Sequence, residues 1–381
     1  MMKRKVLIGF LMLSLCLLVS CWQEQHHDYF PSEEPNYPLK GQVLNSADGT
    51  PLSGALVFLN SEIDTTDSTG TYIFPHVLGN PNGYDYTITI TKDFFVTYST
   101  GISVFASSEI DTIRVESVSL GKIYYAEDIY NPGMWGSFSP QGVVWLGSNL
   151  WSADSMDKVI FAHNYDSYMS VVDTFFLPNF PTPKGNFYIA PLGLEWHQNY
   201  LITYDDRKDT FYELILTPGD TALIKTSFKL PSDVTSTGDI WDITWDGRHL
   251  WSCSPGSYDY FHTLSRNPDN DVIHRHSGNL SVAETFPTQE IDDGIVNPTG
   301  IAWDGEKFWL NSRGTHRLYM LDENLHVLGY YVYEELIRPH APYQICWGNG
   351  YLWGCFRDSW EGINSVGGPT QYIYKFGRLY P

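Results

Sequence analysis

From residue 121 onward, apolar and polar positions recur in one pattern five times. The segments are GVVWLGSNLWSAD from Gly142, GLEWHQNYLITYD from Gly193 and DITWDGRHLWSCS from Asp242. GIAWDGEKFWLNS from Gly300 and QICWGNGYLWGCF from Gln344 complete the set. Each is an apolar run ending in Trp, a short polar turn and a second apolar run, which predicts a β-hairpin of strands A and B. The first Trp of each (Trp145, Trp196, Trp245, Trp303, Trp347) is separated from the next by 51, 49, 58 and 44 residues. A third strand, C, is expected after each hairpin, at Lys158–Phe161, Phe211–Leu214, Val272–Arg275, Arg317–Met320 and Tyr372–Lys375. A fourth, D, follows in four units, at Val171–Phe176, Ala222–Phe228, Leu280–Phe286 and His326–Tyr331.

Four-stranded units of about 50 residues in tandem are the pattern of propeller blades. The fifth unit ends before a D strand, while Lys122–Tyr125 is an unassigned strand ahead of the first A strand. The expectation is a five-bladed β-propeller over residues 121–381, closed when Lys122–Tyr125 supplies the missing outer strand of the last blade. Closure of that kind removes free sheet edges.

Residues 38–120 carry a different pattern, of short strands at Gly41–Leu44, Ala55–Leu59, Tyr72–Phe74 and Tyr86–Ile90, with a last β-rich run over Ile110–Leu120. Turn signals separate them: Asp48-Gly49 before Pro51, and Thr66-Asp67-Ser68-Thr69-Gly70. The prediction is a small β-sandwich, and the whole chain is expected to be all-β. Composition agrees, since 15% aromatic residues with 32 Gly and 22 Pro leave little room for long helices. A net charge of −21 argues against a nucleic-acid partner, because few cations are available to displace phosphate counterions.

The N-terminus reads as an address. Lys3-Arg4-Lys5 is a positive cluster, and Val6–Val19 is an apolar run too short for a bilayer-spanning helix. It ends Leu18-Val19-Ser20-Cys21, which resembles the lipobox of bacterial lipoproteins. The resemblance implies a signal peptide over residues 1–20 and a lipid on Cys21. It also implies attachment to a membrane of the cell envelope, on its extracytoplasmic side, the outer membrane if the cell is Gram-negative. Residues 21–37, polar and proline-bearing, then form a tether. Cys253, Cys346 and Cys355 show no metal-ligand spacing and are expected as free core thiols.

Further resemblances attach to particular motifs. The order G-x-V, G-x-P-L-x-G-A-x-V, T-D-x-x-G-x-Y-x-F over 38–120 resembles the carboxypeptidase regulatory-like domain, which implies a transthyretin-like sandwich without catalysis. Asp64, Asp67 and Asp85 are turn formers or a cation site on this reading. Pro298–Gly305 with Arg317–Asp322 resembles the NHL and YVTN propeller repeats. Pro140-Gln141-Gly142-Val143-Val144-Trp145 with Leu150-Trp151 resembles the first blade of plant-type glutaminyl cyclotransferases. That family has Glu directly after the strand-B aromatic, where this chain has Ser152.

A binding face is expected on the side of the B–C loops and D–A connections, which surrounds the channel mouth. The B–C segments of blades 3 and 5 are long: 22 residues from Trp251 to Ile273 and 20 from Trp353 to Ile373, against 9 in blades 1 and 4. They bring Tyr258, Tyr260, Arg357 and Trp360. Candidate ligand-binding residues beneath them are Gln141, Asp154, Asp205, Arg207, Asp242, Arg313 and Gln344. Asp154, Asp205 and Asp242 come from three adjacent blades. They cap turns, or they converge on a divalent cation such as calcium or act as paired carboxylates. His274 and His276 alternate on one face of strand C, away from the channel. Two function classes stay open at this point: a monomeric, lipid-anchored binding or scaffold protein for a glycan, peptide or protein, and a propeller enzyme of the cyclotransferase or glycan-cleaving kind.

Overall fold

The computed structural model describes residues 36–80, 82–105, 112–124, 126–130, 140–154, 157–165, 169–182, 185–189, 191–197, 199–217, 221–231, 240–256, 270–333, 343–357 and 371–376. The chain divides into two compact units, one of residues 1–42, 53–90 and 98–117, the other of residues 43–52, 91–97 and 118–381. It is almost wholly β. The described exception is one short helix, Thr288–Ile291.

The first unit is built on two small sheets. Thr71–Leu78 pairs antiparallel with Asn36–Asn45, which pairs in parallel with Ile113–Arg114. The second sheet runs Glu62–Thr65, Leu56–Leu59, Tyr84–Thr91, Tyr98–Val104 in order. Buried Leu39, Tyr72 and Phe74 come from one sheet, Val57, Leu59, Ile88 and Ile90 from the other. The turn before Thr71 is an acid-capped loop: Asp67 Oδ1 accepts from Thr69 N at 2.8 Å, Thr69 Oγ1 at 2.7 Å and Thr71 N at 2.9 Å. Those donors hold the Asp67 carboxyl below its usual pKa. Asp64 accepts from Ile73 N of Thr71–Leu78 and Asp85 from Ser103 Oγ of Tyr98–Val104, so these two acids link strands while Asp67 caps a turn.

The second unit is a propeller. The innermost strands are Pro140–Leu146, Pro191–His197, Asp242–Trp245, Pro298–Trp303 and Gln344–Gly348. Each packs against the next, and the last packs against the first, so among the described residues five sheets make a closed cycle. From its innermost strand each sheet steps outward through at least three antiparallel strands in sequence order, as in Pro140–Leu146, Asn149–Asp154, Val159–Asn164, Val171–Phe176. Five apolar clusters fill the wedges, one between each pair of neighbouring sheets. In two wedges the strand-A Trp of one blade stacks on the strand-B Trp of the blade before it: Trp347 on Trp309 (6.1 Å, 2°) and Trp145 on Trp353 (5.4 Å, 23°). The five strand-A Trp are half-buried and pack against these clusters, while Trp251, Trp309 and Trp353 of strand B are buried within them, with burial and ring stacking as their contribution.

The repeat also shapes its turns. In blades 3 and 4 the Trp-Asp-Gly turn uses its acid twice. Asp304 Oδ1 takes the Glu306 and Lys307 amides, and Oδ2 takes the Trp309 indole N–H at 2.8 Å. Asp246 does the same for Arg248, His249 and Trp251. Gly247 and Gly305 follow at φ +94° and +107°, where a side chain would be strained.

Ring closure departs from expectation in one respect. Lys122–Tyr124 does not complete blade 5; it lies parallel to Tyr331–Tyr333 as a fifth strand of blade 4. The closing strand is the next one, Ala126–Tyr130, antiparallel to Gln371–Phe376. The outer strand of blade 4, Val327–Tyr333, is further held by Tyr330 N to Ser46 O (3.0 Å) and Ser46 Oγ to Tyr330 O (2.9 Å). A parallel pairing is not made through a local hairpin, so it leaves no turn signature from which the sequence reveals it. A further hairpin, Asn179–Thr182 with Gly185–Tyr188, lies between blades 1 and 2.

Candidate functional site

Strands that alternate in direction put the B–C loops and D–A connections on one face of the ring. Blades 3, 4 and 5 build the described part of its mouth. Trp241 precedes strand A of blade 3, Tyr343 precedes strand A of blade 5, and Arg313 lies in the B–C turn of blade 4. Each Trp241 and Tyr343 amide bonds back to its own strand B, at Cys253 O (3.0 Å) and Cys355 O (2.9 Å). The two rings are stacked, 5.3 Å apart and 15° from parallel. The Arg313 guanidinium lies 4.4 Å from the Tyr343 ring. Arg313 N donates to Asn297 O, and Gly314 N to Val296 O, which fixes the turn. Ser312, Thr315 and the Gly294 carbonyl complete a hydrogen-bonded base beneath it. All three side chains of the stack are half-buried. A guanidinium on an aromatic face is worth about 0.5–2 kcal/mol, depending on desolvation.

Below the stack the axis is bridged. Gln344 Nε2 donates to Trp241 O (2.8 Å), and Gln344 Oε1 accepts from Cys355 Sγ. Asp242 is fully buried, and its Oδ2 accepts from Ile301 N of blade 4 and Ile345 N of blade 5, both at 3.0 Å. The aligned positions in blades 1, 2 and 4 are Gly142, Gly193 and Gly300. A Cβ on Gly300 would stand 3.0 Å from the Ile345 side chain, and one on Gly142 2.9 Å from Leu194. Small residues at three of five aligned positions let the sheets approach, and Asp242 and Gln344 carry the side chains there. Burial raises the Asp242 carboxyl well above the usual carboxylate range, only partly offset by its amide donors.

A second set of contacts between blades lies at the residue before the strand-A Trp in blades 2, 3 and 5. Glu195 Oε2 accepts from Trp245 N of blade 3 at 3.0 Å, and Oε1 from Trp196 N at 2.8 Å. Thr244 bonds the Glu195 carboxyl and accepts from Trp303 N of blade 4 at 3.1 Å. Cys346 of blade 5 receives the Trp145 amide of blade 1. Burial lifts Glu195 to about 7, against the pull of these donors. Sequence reasoning missed Glu195, Thr244 and Cys346. The available signal was a polar residue inside an apolar strand, directly before an aligned Trp.

The remaining candidates are placed as follows. Asp154 Oδ1 caps its own turn at Asp157 N (2.8 Å), and Asp205 Oδ1 caps Arg207 N (3.1 Å). Arg207 is exposed on that turn, and Gln141 is half-buried on strand A of blade 1. Thus the structure brings together Asp242, Arg313 and Gln344, and leaves Asp154 and Asp205 serving turns. Among the described residues, no group of three or more His, Cys, Asp or Glu is arranged to hold a metal ion. Tyr258, Tyr260, Trp360 and Cys21 lie outside the described residues, and of Arg357 the backbone alone is described, pairing with Gln371. The stem of the blade 3 insertion is visible: buried Asp271 accepts from Gly256 N (2.7 Å) and Asn297 N (2.6 Å).

Two serine–histidine pairs have the form of a nucleophile and its base. Ser152 Oγ is 2.7 Å from His163 Nε2, and His163 Nδ1 is 3.2 Å from Met169 O. Ser252 Oγ is 2.8 Å from His276 Nε2, and His276 Nδ1 is 3.0 Å from Leu280 O. All four residues are sealed from solvent. Burial lowers His163 to about 4 and His276 to about 3, so both rings are neutral at pH 7. A nucleophile must reach a substrate, and these pairs do not; they satisfy buried polar groups. His274, two residues before His276 on the same strand, bonds Thr285 Oγ1 at 3.0 Å.

No protein-family model matches the chain, and no curated protein does. Solved structures do resemble it. Glutaminyl cyclase from Myxococcus xanthus is 9% identical with a TM-score of 0.42, covering 67% of this chain and 96% of that one. A streptogramin B lyase is 13% identical with a TM-score of 0.35, covering 90% and 97%. The pyrroloquinoline-quinone-bound aldose sugar dehydrogenase from Streptomyces coelicolor is 11% identical with a TM-score of 0.40, covering 67% and 98%. Likenesses this distant assign neither a family nor an activity. The class defined by fold and site is a β-propeller with an aromatic–guanidinium platform over a bridged axis.

Proposed function

We propose that this is a lipid-anchored extracytoplasmic binding protein. Its ring presents the B–C loop face to a glycan, peptide or protein, and its N-terminal sandwich, of carboxypeptidase regulatory-like character, is a non-catalytic spacer. The observation that carries the reading is the Trp241–Tyr343–Arg313 stack. Three blades supply it, backbone hydrogen bonds hold each member, and all three members keep part of their surface in solvent. A rigid aromatic beside a guanidinium suits a sugar ring or the anchor side chain of a partner. The anchor rests on Leu18-Val19-Ser20-Cys21 after a short apolar run.

The test has two arms. Wild-type protein and the Tyr343→Ala and Arg313→Ala variants are screened on a glycan array and by affinity capture from envelope extracts. Each substitution is expected to weaken the ligand by about 1–3 kcal/mol without changing thermal stability greatly. In cells, Cys21→Ala is expected to release the protein from the membrane fraction and abolish fatty-acid labelling. Turnover of a glycan or an N-terminal Gln peptide by the purified protein would replace the binding reading with an enzymatic one.

A further inference from the structure

The innermost strands carry two carboxyl groups, Asp242 fully buried and Glu195 half-buried, with no cationic partner among the residues that act on them. The Asp242 carboxyl is the tie from blade 3 to blades 4 and 5, through one oxygen. Oδ2 takes both backbone N–H groups, while buried Oδ1 has no hydrogen-bond partner. A carboxylate would leave that oxygen charged and unsolvated, which is costly in a dry interior. A carboxylic acid puts its hydrogen there and keeps Oδ2 as the acceptor. Glu195 is the corresponding tie from blade 2 to blade 3, and its charge acts on Asp242.

Two positions after Glu195 on the same strand stands His197, whose ring lies against Trp245 and whose pKa burial lowers. Cys253 on strand B of blade 3, and Cys346 and Cys355 on strands A and B of blade 5, feel the Asp242 charge. Cys346 feels Glu195 as well. Burial holds all three thiols above their ordinary pKa, so they stay neutral and offer no compensation. The inner strand of blade 4 contributes Gly300, Ile301 and Ala302, and that of blade 1 Gly142, Val143 and Val144, none of them titratable.

We propose that Asp242 and Glu195 form a proton-operated latch on the ring: with protons on both, the inner strands of blades 2 to 5 are tied, and ionisation of both loosens them. Two negative charges so placed repel one another, and burial denies the Asp242 charge its solvation. The latch is a property of the ring and does not depend on any ligand.

The sign follows from linkage. A carboxyl whose folded pKa lies above its unfolded one stabilises fully below the unfolded pKa, and the contribution is lost as pH rises through the folded pKa. For Glu195 the window runs from the ordinary 4.5 to about 7.

The experiment compares the full-length protein with Asp242→Asn and Glu195→Gln. The side-chain amide that Asp242→Asn introduces keeps one oxygen as acceptor for the two backbone N–H groups and places its own N–H where the acid hydrogen stands. This variant therefore imitates the protonated latch at every pH. Thermal midpoints are measured from pH 5 to pH 8. The gap between each variant and wild type is expected to move in the variant's favour as pH rises. In wild type the folding constant falls by up to about a hundredfold over that range relative to the variants. A gap that is constant with pH in both variants overturns the proposal. Should a variant not fold, amide exchange in wild type decides instead. Protection of Trp245, Ile301 and Ile345, corrected for intrinsic rate, is expected to fall with pH relative to outer-strand amides, and unchanged protection overturns the latch.

Discussion

At the scale of single residues, the repeat states its own rule and its own exception. Asp246 and Asp304 each hold the indole N–H of the strand-B Trp five residues on. Blade 1 has Leu146 at that position, and the Trp151 indole N–H is buried without a partner. Trp151 keeps its place by stacking on Phe175 at 5.2 Å. An unsatisfied buried donor costs about 1–3 kcal/mol. Leu146→Asp is therefore expected to stabilise the protein by ~1 kcal/mol, read as a shift in urea midpoint at constant slope. A loss of stability would show that the blade 1 turn does not relax into the form of blades 3 and 4.

Single elements decide how the ring ends. Ala126–Tyr130 supplies the outer strand of blade 5, and Tyr130 stacks on Trp353 at 6.3 Å. Ile129 pairs with Tyr374 in the middle of that strand. Ile129→Pro is expected to break the pairing, to cost about 3 kcal/mol or more, and to expose the edge of Gln371–Phe376 to intermolecular pairing. Light scattering on heating would report it. The same substitution at Ile123, in the strand parallel to Tyr331–Tyr333, is expected to cost less, because Val327–Tyr333 stays hydrogen-bonded to Arg317–Leu321 and to Ser46. Equal losses from the two substitutions would count against closure by Ala126–Tyr130.

For the whole molecule, stability against pH is a contest between two sets of buried groups. His163 and His274 are lowered to about 4 and His276 to about 3, in each case by burial first. A histidine lowered from 6.5 is neutral in the fold while the unfolded chain takes a proton, so stability falls as pH drops from 6.5 towards 4. The shifts correspond to at most about 3 kcal/mol each for His163 and His274 and about 5 kcal/mol for His276. Asp242 and Glu195 act in the opposite sense. Three imidazoles outweigh two carboxyls below pH 6.5, so the acid limb is expected to be steep. His276→Gln, which keeps a polar partner for Ser252, is expected to flatten that limb in a titration of urea midpoints from pH 4.5 to 7. An unchanged slope would place the acid sensitivity elsewhere.

The sequence by itself determined the propeller, because each blade makes its wedge from the same local pattern. Trp145, Trp196, Trp245, Trp303 and Trp347 mark the inner strands, and a two-to-four-residue turn sets the partner strand. It also determined that the chain closes on itself, through the missing outer strand of blade 5. Tertiary structure decided which strand closes it, since Lys122–Tyr124 and Ala126–Tyr130 differ by pairing partner and not by local pattern. The candidate site divides in the same way. Asp242, Arg313 and Gln344 were legible as polar residues at the mouth, but their convergence with Trp241 and Tyr343 joins positions 103 residues apart along the chain. The role of Glu195 was hidden because its partner, the Trp245 amide, is backbone from the next blade, 50 residues on. A local pattern specifies strands and turns; which backbone donor a side chain meets across a ring is set only when the ring has formed.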